Sequence, residues 1–82
     1  MSEEDREACE IVATALGIAK EQVRSDDGIH TIPEWDSLGH LEVVQEVEGR
    51  TGVSIADNRT FEQLVSVSGI TRYLTEFRHG QR

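Results

Sequence analysis

Apolar side chains recur at helical spacing in separate stretches of this chain, and that pattern limits it to an all-α fold. In the first stretch, from about Glu3 to Leu16, Ser2 and Asp5 form a capping-box signature, and Gly17 is a natural C-terminal stop. Five apolar residues fall on one helical face: Ala8, Ile11, Val12, Ala15 and Leu16. The sequence therefore predicts a first helix over this stretch.

A second helix is predicted to start at Asp36 or Ser37 and to end near Thr51. Its buried stripe is expected to consist of apolar residues at helical spacing: Leu38, Leu41, Val43, Val44 and Val47. Gly39 and Gly49 lie inside this helix, where each costs roughly 1 kcal/mol relative to alanine. They either mark the close approach of a partner or a neighbouring helix, or are simply tolerated.

The C-terminal third of the chain predicts a short helix followed by a longer one. Thr60 and Gln63 form a capping-box signature that opens the short helix. Ser66 is expected to cap the last helix, which runs from Val67 to about Phe77. Residues 79–82 are expected to form a frayed tail.

The segment between the first two helices, from Ile18 to Glu34, has no helical periodicity, yet it carries four isolated apolar residues: Ile18, Val23, Ile29 and Ile32. We expect it to lie over the core, with a helical turn near Lys20 to Val23. The predicted fold class is therefore all-α. It is a single domain of residues 1–82 that forms a small four-helix bundle, with three main helices and one short helix.

Charge and composition exclude several classes of function. Sixteen acidic residues against eight basic residues give a formal net charge of −8, which disfavours binding to nucleic acid or to an anionic membrane surface. No apolar run approaches the ~20 residues of a membrane-spanning helix, and the acidic N-terminus does not resemble a signal peptide. The single Cys9 fits a reducing compartment. We therefore expect a cytoplasmic monomer whose partners are proteins with basic patches.

Three residues of types that take part in catalysis lie at the start of the second helix: Asp36, Ser37 and His40. They suggest a hydrolase, but a serine and a histidine three residues apart on one helix leave no separately placed base, and the strand–turn–helix elbow of serine hydrolases is missing. The histidines of the chain show no metal-ligand spacing. We therefore predict no catalytic residue and no metal site.

The same stretch resembles a known attachment motif. Asp36-Ser37-Leu38, placed after a long loop and opening an acidic helix, is similar to the phosphopantetheine attachment motif of the acyl carrier protein family. The similarity extends over nearly the whole chain. Residues 38–44 with 52–55 resemble the family's second helix and the turn after it, and residues 66–70 with Tyr73-Leu74 resemble its last helix.

The resemblance implies a carrier rather than a catalyst. A separate Mg²⁺-dependent phosphopantetheinyl transferase would use the Ser37 hydroxyl to attack the pyrophosphate of coenzyme A. That reaction would leave a 4′-phosphopantetheine arm on Ser37 through a phosphodiester. The terminal thiol of the arm would hold an acyl or aminoacyl group as a thioester. The partner enzymes of such a carrier would be acyl-activating ligases, synthases or transferases of a biosynthetic pathway, such as one for fatty acids or polyketides.

The resemblance also implies a surface that partner enzymes read. Its acidic residues would meet basic patches and its leucines would add apolar contact near the serine: Asp36, Leu38, Leu41, Glu42, Glu46 and Glu48. The alternative is a protein of another class, an unmodified acidic helical module that regulates a partner protein by binding it.

Overall fold

The computed structural model describes residues 2–80 and confirms the predicted all-α bundle. Its helices are α1 (Glu3–Leu16), α2 (Ser37–Thr51), α3 (Asn58–Gln63) and α4 (Val67–Thr75). A 3₁₀ turn spans Lys20–Gln22, as predicted, and a π-helical turn spans Glu76–Gly80. Within residues 2–80 there is no strand beyond a single isolated bridge between Gly28 and Ser66.

The predicted start and stop signals of α1 are confirmed. The Asp5 backbone N–H donates to Ser2 Oγ at 3.1 Å, and the Ser2 N–H donates to Asp5 Oδ2 at 3.2 Å, so both halves of the capping box form. At the other end Gly17 adopts a φ of 70°, the left-handed conformation that favours glycine. Local signals alone therefore set both ends of this helix.

The core lies between α1, α2 and α4, with Trp35 and Leu64 added from the connecting segments. These two residues are fully buried. The helices contribute the other fully buried side chains: Ala8, Ile11, Val12, Val43, Val47, Val67, Ile70 and Leu74. Since α1 packs against both α2 and α4, it is the central helix of the bundle. None of the helices in residues 2–80 is long and apolar enough to cross a membrane.

The predicted buried stripe of α2 is wrong at its N-terminal end. Leu38 is 69% exposed and Leu41 is 48% exposed. The inward positions belong instead to Gly39 and His40, followed by Val43, Val44 and Val47 as predicted. Only at this end of the helix do a small residue and a polar residue face the core, and groups outside the helix satisfy the imidazole of His40.

The predicted start of the short helix is also wrong. Helix α3 starts at Asn58 and is capped by Asp57, whose Oδ2 accepts from the Thr60 backbone N–H at 2.8 Å and from the Thr60 hydroxyl at 2.9 Å. Thr60 is thus the partner of the cap rather than the cap. The Gln63 side chain contacts the Gly69 carbonyl at 3.4 Å instead of closing a capping box.

The last helix ends earlier than predicted, and the chain continues as the π-helical turn. Helix α4 has the predicted cap, since Ser66 Oγ accepts from the Gly69 N–H at 3.0 Å, but it ends at Thr75. Residues 79 and 80, assigned to a tail above, belong to the π-helical turn, and His79 Nε2 lies 3.1 Å from Glu4 Oε2. The remaining residues of the predicted tail, 81 and 82, lie outside the described residues.

The long connection between α1 and α2 lies over the core as expected. Its four apolar residues are all buried or half-buried against the core cluster. Backbone bonds join it to the α3–α4 junction: the Ile29 N–H donates to the Val65 carbonyl at 2.9 Å, and the Val67 N–H donates to the Asp27 carbonyl at 3.0 Å. The connection is therefore held in place on both sides of Gly28.

Ion pairs join α1 to the end of α2 and to the C-terminal turn. Arg50 Nη1 lies 3.6 Å from Glu7 Oε2 and 3.7 Å from Glu10 Oε1, and the Arg78 guanidinium donates to Glu7 Oε1. The hydrogen bond from Arg78 is the main reason that the pKa of Glu7 is lowered. Part of the acidic surface of α1 is thus neutralised within the protein.

Candidate functional site

Ser37 is the first residue of α2 and is exposed to solvent. Asp36 precedes it in an extended conformation and caps the helix, its Oδ1 accepting from the Gly39 backbone N–H at 2.8 Å. As the first residues of the helix, Ser37 and Leu38 have backbone N–H groups with no intrahelical acceptor. These groups give the serine a locally positive setting.

The loop that leads into Ser37 lies tightly against α2, and Gly39 makes this possible. A Cβ placed on Gly39 would lie 2.4 Å from the Glu34 carbonyl oxygen and 2.9 Å from Leu16 Cδ2. For Gly49 no atom lies within 4 Å of the same position. Of the two explanations for these glycines, close approach therefore applies to Gly39, where the neighbour is the preceding loop, and simple tolerance fits Gly49.

Beneath Ser37, the imidazole of His40 is buried and bonded through both nitrogens. The Trp35 indole N–H donates to His40 Nδ1 at 3.1 Å, and His40 Nε2 lies 2.8 Å from the Phe61 carbonyl oxygen. An indole N–H can only donate and a carbonyl can only accept, so only the neutral tautomer with hydrogen on Nε2 satisfies both bonds. Sequence reasoning missed this role, although a tryptophan five residues before a histidine was visible.

This network leaves neither Asp36 nor His40 free to act as a base for Ser37. Both ring nitrogens of His40 are committed to other residues, and the Asp36 carboxylate is committed to the helix cap. The Asp36, Ser37 and His40 side chains therefore do not form a nucleophilic triad. Across residues 2–80, no group of three or more histidine, cysteine, aspartate or glutamate side chains is arranged to hold a metal ion.

An apolar cleft of about 350 Å³ opens beside Ser37. Its walls come from the long connection, from α2, and from α3 with the residues that follow it: Ile29, Ser37, His40, Leu41, Phe61, Glu62 and Val65. Since both polar atoms of His40 are already bonded, the imidazole adds no unpaired donor or acceptor to this cleft. Sequence patterns do not indicate that Ile29 and Leu41 meet Phe61 and Val65 here, because these residues come from three different segments.

The exposed face of α2 carries Leu38, Leu41 and Glu42, three of the predicted recognition residues. Because successive residues of a helix are rotated by about 100°, they share the side that points away from the core. The side-chain carboxylate of Glu42 makes no hydrogen bond or ion pair with any other residue that the structure describes. An acidic and apolar surface therefore extends along α2 from Ser37.

Two other predicted recognition residues bind within the protein. Glu46 Oε2 accepts from Arg50 Nε at 3.0 Å, one turn along the helix. Glu48 Oε2 accepts from the Ile55 backbone N–H at 2.7 Å and so holds the segment after α2. The structure thus gives the carboxylate of Glu48 a structural contact that its helical position did not suggest.

No protein-family model matches the chain. A curated protein described as an acyl carrier protein, from Chloroherpeton thalassium, is 30% identical to it over 67 residues. The matched region covers 82% of this chain and 82% of that relative.

Proposed function

The chain belongs to the acyl carrier protein family, and from that premise we propose that it carries an acyl group on a 4′-phosphopantetheine arm attached to Ser37. Proteins of this family are non-catalytic carriers. The observation that carries the proposal is the position of Ser37. It is an exposed hydroxyl on the first turn of α2 with an apolar cleft next to it, and the neighbouring Asp36 and His40 are engaged in other hydrogen bonds.

The residues around Ser37 fit a 4′-phosphopantetheine arm. Its hydroxyl is accessible to a transferase, and the unpaired N–H groups of the first turn favour a phosphodiester there. When bound, the arm supplies a terminal thiol that holds the cargo as a thioester. The apolar lining of the cleft, from Ile29, Leu41, Phe61 and Val65, supports an acyl cargo over a charged aminoacyl one.

We assign partner recognition to the exposed face of α2. The partners are a phosphopantetheinyl transferase and the acyl-activating ligases, synthases or transferases of a biosynthetic pathway. Leu38 and Leu41 offer apolar contact, and Glu42 offers a charge that no side chain within residues 2–80 neutralises, while Asp36 orders the first turn. Glu46 and Glu48 take a smaller part, because their carboxylates already bind Arg50 and the backbone of Ile55.

The attachment is tested by the intact mass of the protein after incubation with coenzyme A, Mg²⁺ and a broad-specificity phosphopantetheinyl transferase. The wild type should gain one phosphopantetheinyl group, and Ser37→Ala should gain none. Ser54→Ala, which removes an exposed hydroxyl away from the site, should gain the group like the wild type. An unchanged mass with several transferases would instead support the unmodified interaction module.

The recognition face is tested by the modification rate of two variants that lose the same charge. Glu42→Gln should be modified about two- to fivefold more slowly at low salt, as an exposed charge pair of roughly 0.4–1 kcal/mol implies. Glu21→Gln removes an exposed carboxylate in the 3₁₀ turn and should leave the rate unchanged. The effect of Glu42→Gln should shrink as salt screens the charge. Equal rates for the two variants at low salt would contradict the assignment.

A further inference from the structure

Helix α3 has little core packing of its own. It is six residues long, and none of them is fully buried. Asp57 caps its first turn, and the fully buried Leu64 anchors the chain directly after its last residue. Between these two ends, Phe61 is only half-buried. The position of the middle of α3 therefore depends on the contacts of Phe61.

The group that holds Phe61 is the imidazole of His40. It approaches the backbone of Phe61 through the 2.8 Å contact of Nε2 with the carbonyl oxygen, and its ring meets the Phe61 ring edge-on at a centroid distance of 4.6 Å. The Trp35 indole, 6.3 Å away between ring centroids, fixes the other nitrogen. One side chain of α2 thus links the loop before Ser37 to the wall of the cleft on its far side.

We propose that His40 is a positioning residue: its hydrogen bond to the Phe61 carbonyl holds α3 at a set distance from α2 and so fixes the width of the cleft beside Ser37. Trp35 selects the tautomer of His40. Its N–H donates to Nδ1, which must therefore carry no hydrogen, so the ring N–H is on Nε2 and points at the Phe61 carbonyl. The effect of cleft width on the cargo rests on the proposed function, but the hydrogen-bonded link from Trp35 through His40 to Phe61 does not. This link belongs to the folded chain whether or not Ser37 is modified.

The tautomer is the first test and needs only the wild-type protein. Long-range ¹H–¹⁵N NMR of the imidazole should show hydrogen on Nε2 and none on Nδ1, and the indole N–H of the single tryptophan should exchange slowly with solvent. A neutral ring that carries its only hydrogen on Nδ1 would overturn the proposal, because its Nε2 could not donate to Phe61.

Two substitutions then separate the two bonds. In His40→Gln the side-chain amide reaches the place of Nε2 and can still donate to the Phe61 carbonyl. In His40→Asn the shorter amide can accept from Trp35 but cannot reach Phe61. Hydrogen exchange is measured in the unmodified variants at the Phe61 and Leu64 amides, which are bonded to the Asp57 and Thr60 carbonyls.

Exchange at these two amides should be about tenfold faster in His40→Asn than in His40→Gln, while amides of α1 and α4 differ little between the variants. Equal exchange in the two variants, or equal acceleration throughout the protein, would show that His40 only fills space in the core. In the acylated chain, His40→Asn should also shorten the lifetime of the thioester relative to His40→Gln. Equal lifetimes despite unequal exchange would overturn the link to the cleft. A chain that never gains the arm would refute the proposed function and leave the exchange comparison intact.

Discussion

Adding one methyl group at Gly39 should destabilise the protein, whereas the same change at Gly49 should stabilise it. Both glycines lie inside α2, so both substitutions replace glycine by the best helix former. They differ in their surroundings: a Cβ at Gly39 would lie 2.4 Å from the backbone oxygen of Glu34, and a Cβ at Gly49 would meet nothing within 4 Å. The pair therefore tests how closely α2 approaches the loop before Ser37, since the other near atom, Leu16 Cδ2 at 2.9 Å, is the end of a flexible side chain.

The magnitudes follow from these distances. Overpacking costs about 1–3 kcal/mol, and the upper end applies to Gly39→Ala because the atom it meets belongs to the backbone and cannot rotate away. Helix propensity returns about 1 kcal/mol in each variant. The net effect is a loss of about 2 kcal/mol for Gly39→Ala and a gain of about 1 kcal/mol for Gly49→Ala. At roughly 4–8 °C per kcal/mol, Tm should fall by about 8–16 °C in the first variant and rise by about 4–8 °C in the second.

Thermal unfolding followed by circular dichroism, with urea midpoints as a second measure of the free energy of unfolding, checks both values. If Gly39→Ala proves as stable as Gly49→Ala, the loop before Ser37 does not lie against α2. The described route of the chain into the candidate site would then be incorrect.

Three further outcomes are expected from contacts elsewhere in the molecule. Asp36→Ala should lower the free energy of unfolding by about 1 kcal/mol in urea titrations, whereas Asp36→Asn, which keeps a capping oxygen, should lower it much less; equal losses would contradict the capping role. The hydrogen bond from Arg78 lowers the pKa of Glu7, so this carboxylate stabilises the fold above pH 4.5, and its contribution is lost as the pH falls through the lowered pKa. Glu7→Gln should therefore flatten the decline of the urea midpoint below pH 4.5. An unchanged decline would refute this. Burial raises the pKa of the Cys9 thiol, so a disulfide reagent such as DTNB should label the native protein slowly and the urea-unfolded protein fast, and rapid labelling of the native protein would show that the thiol is not buried.

The ends of α1 and α2 could be predicted from the sequence because several local signals agree there. In α1 the apolar period, the capping box and Gly17 all indicate the same residues. In α3 the local signals compete, since Asp57 and Thr60 are both good capping residues within one turn of each other. The aspartate caps the helix and the threonine donates to it, a choice that the pattern of residue types does not determine.

The inward face of α2 could not be predicted, for a different physical reason. Ranking by hydrophobicity places Leu38 and Leu41 inside and His40 outside, yet the structure does the reverse. Burial of the histidine depends on a donor from Trp35 and an acceptor from Phe61, which lie outside the helix. The position of Ser37 at the start of a helix could be predicted, because the capping signals are local. The cleft beside it could not, because its walls come from three segments that are distant in sequence.

Attachment of the arm at Ser37 can be measured by peptide mass spectrometry of the transferase-treated protein. Trypsin releases residues 25–50 as one peptide, which contains Ser25 and Ser37 as its only serines. This peptide should gain one phosphopantetheinyl group, and its fragment ions should place the group on Ser37. A group on Ser25 or on any other peptide, or a peptide of unchanged mass after treatment with several transferases, would refute attachment at Ser37.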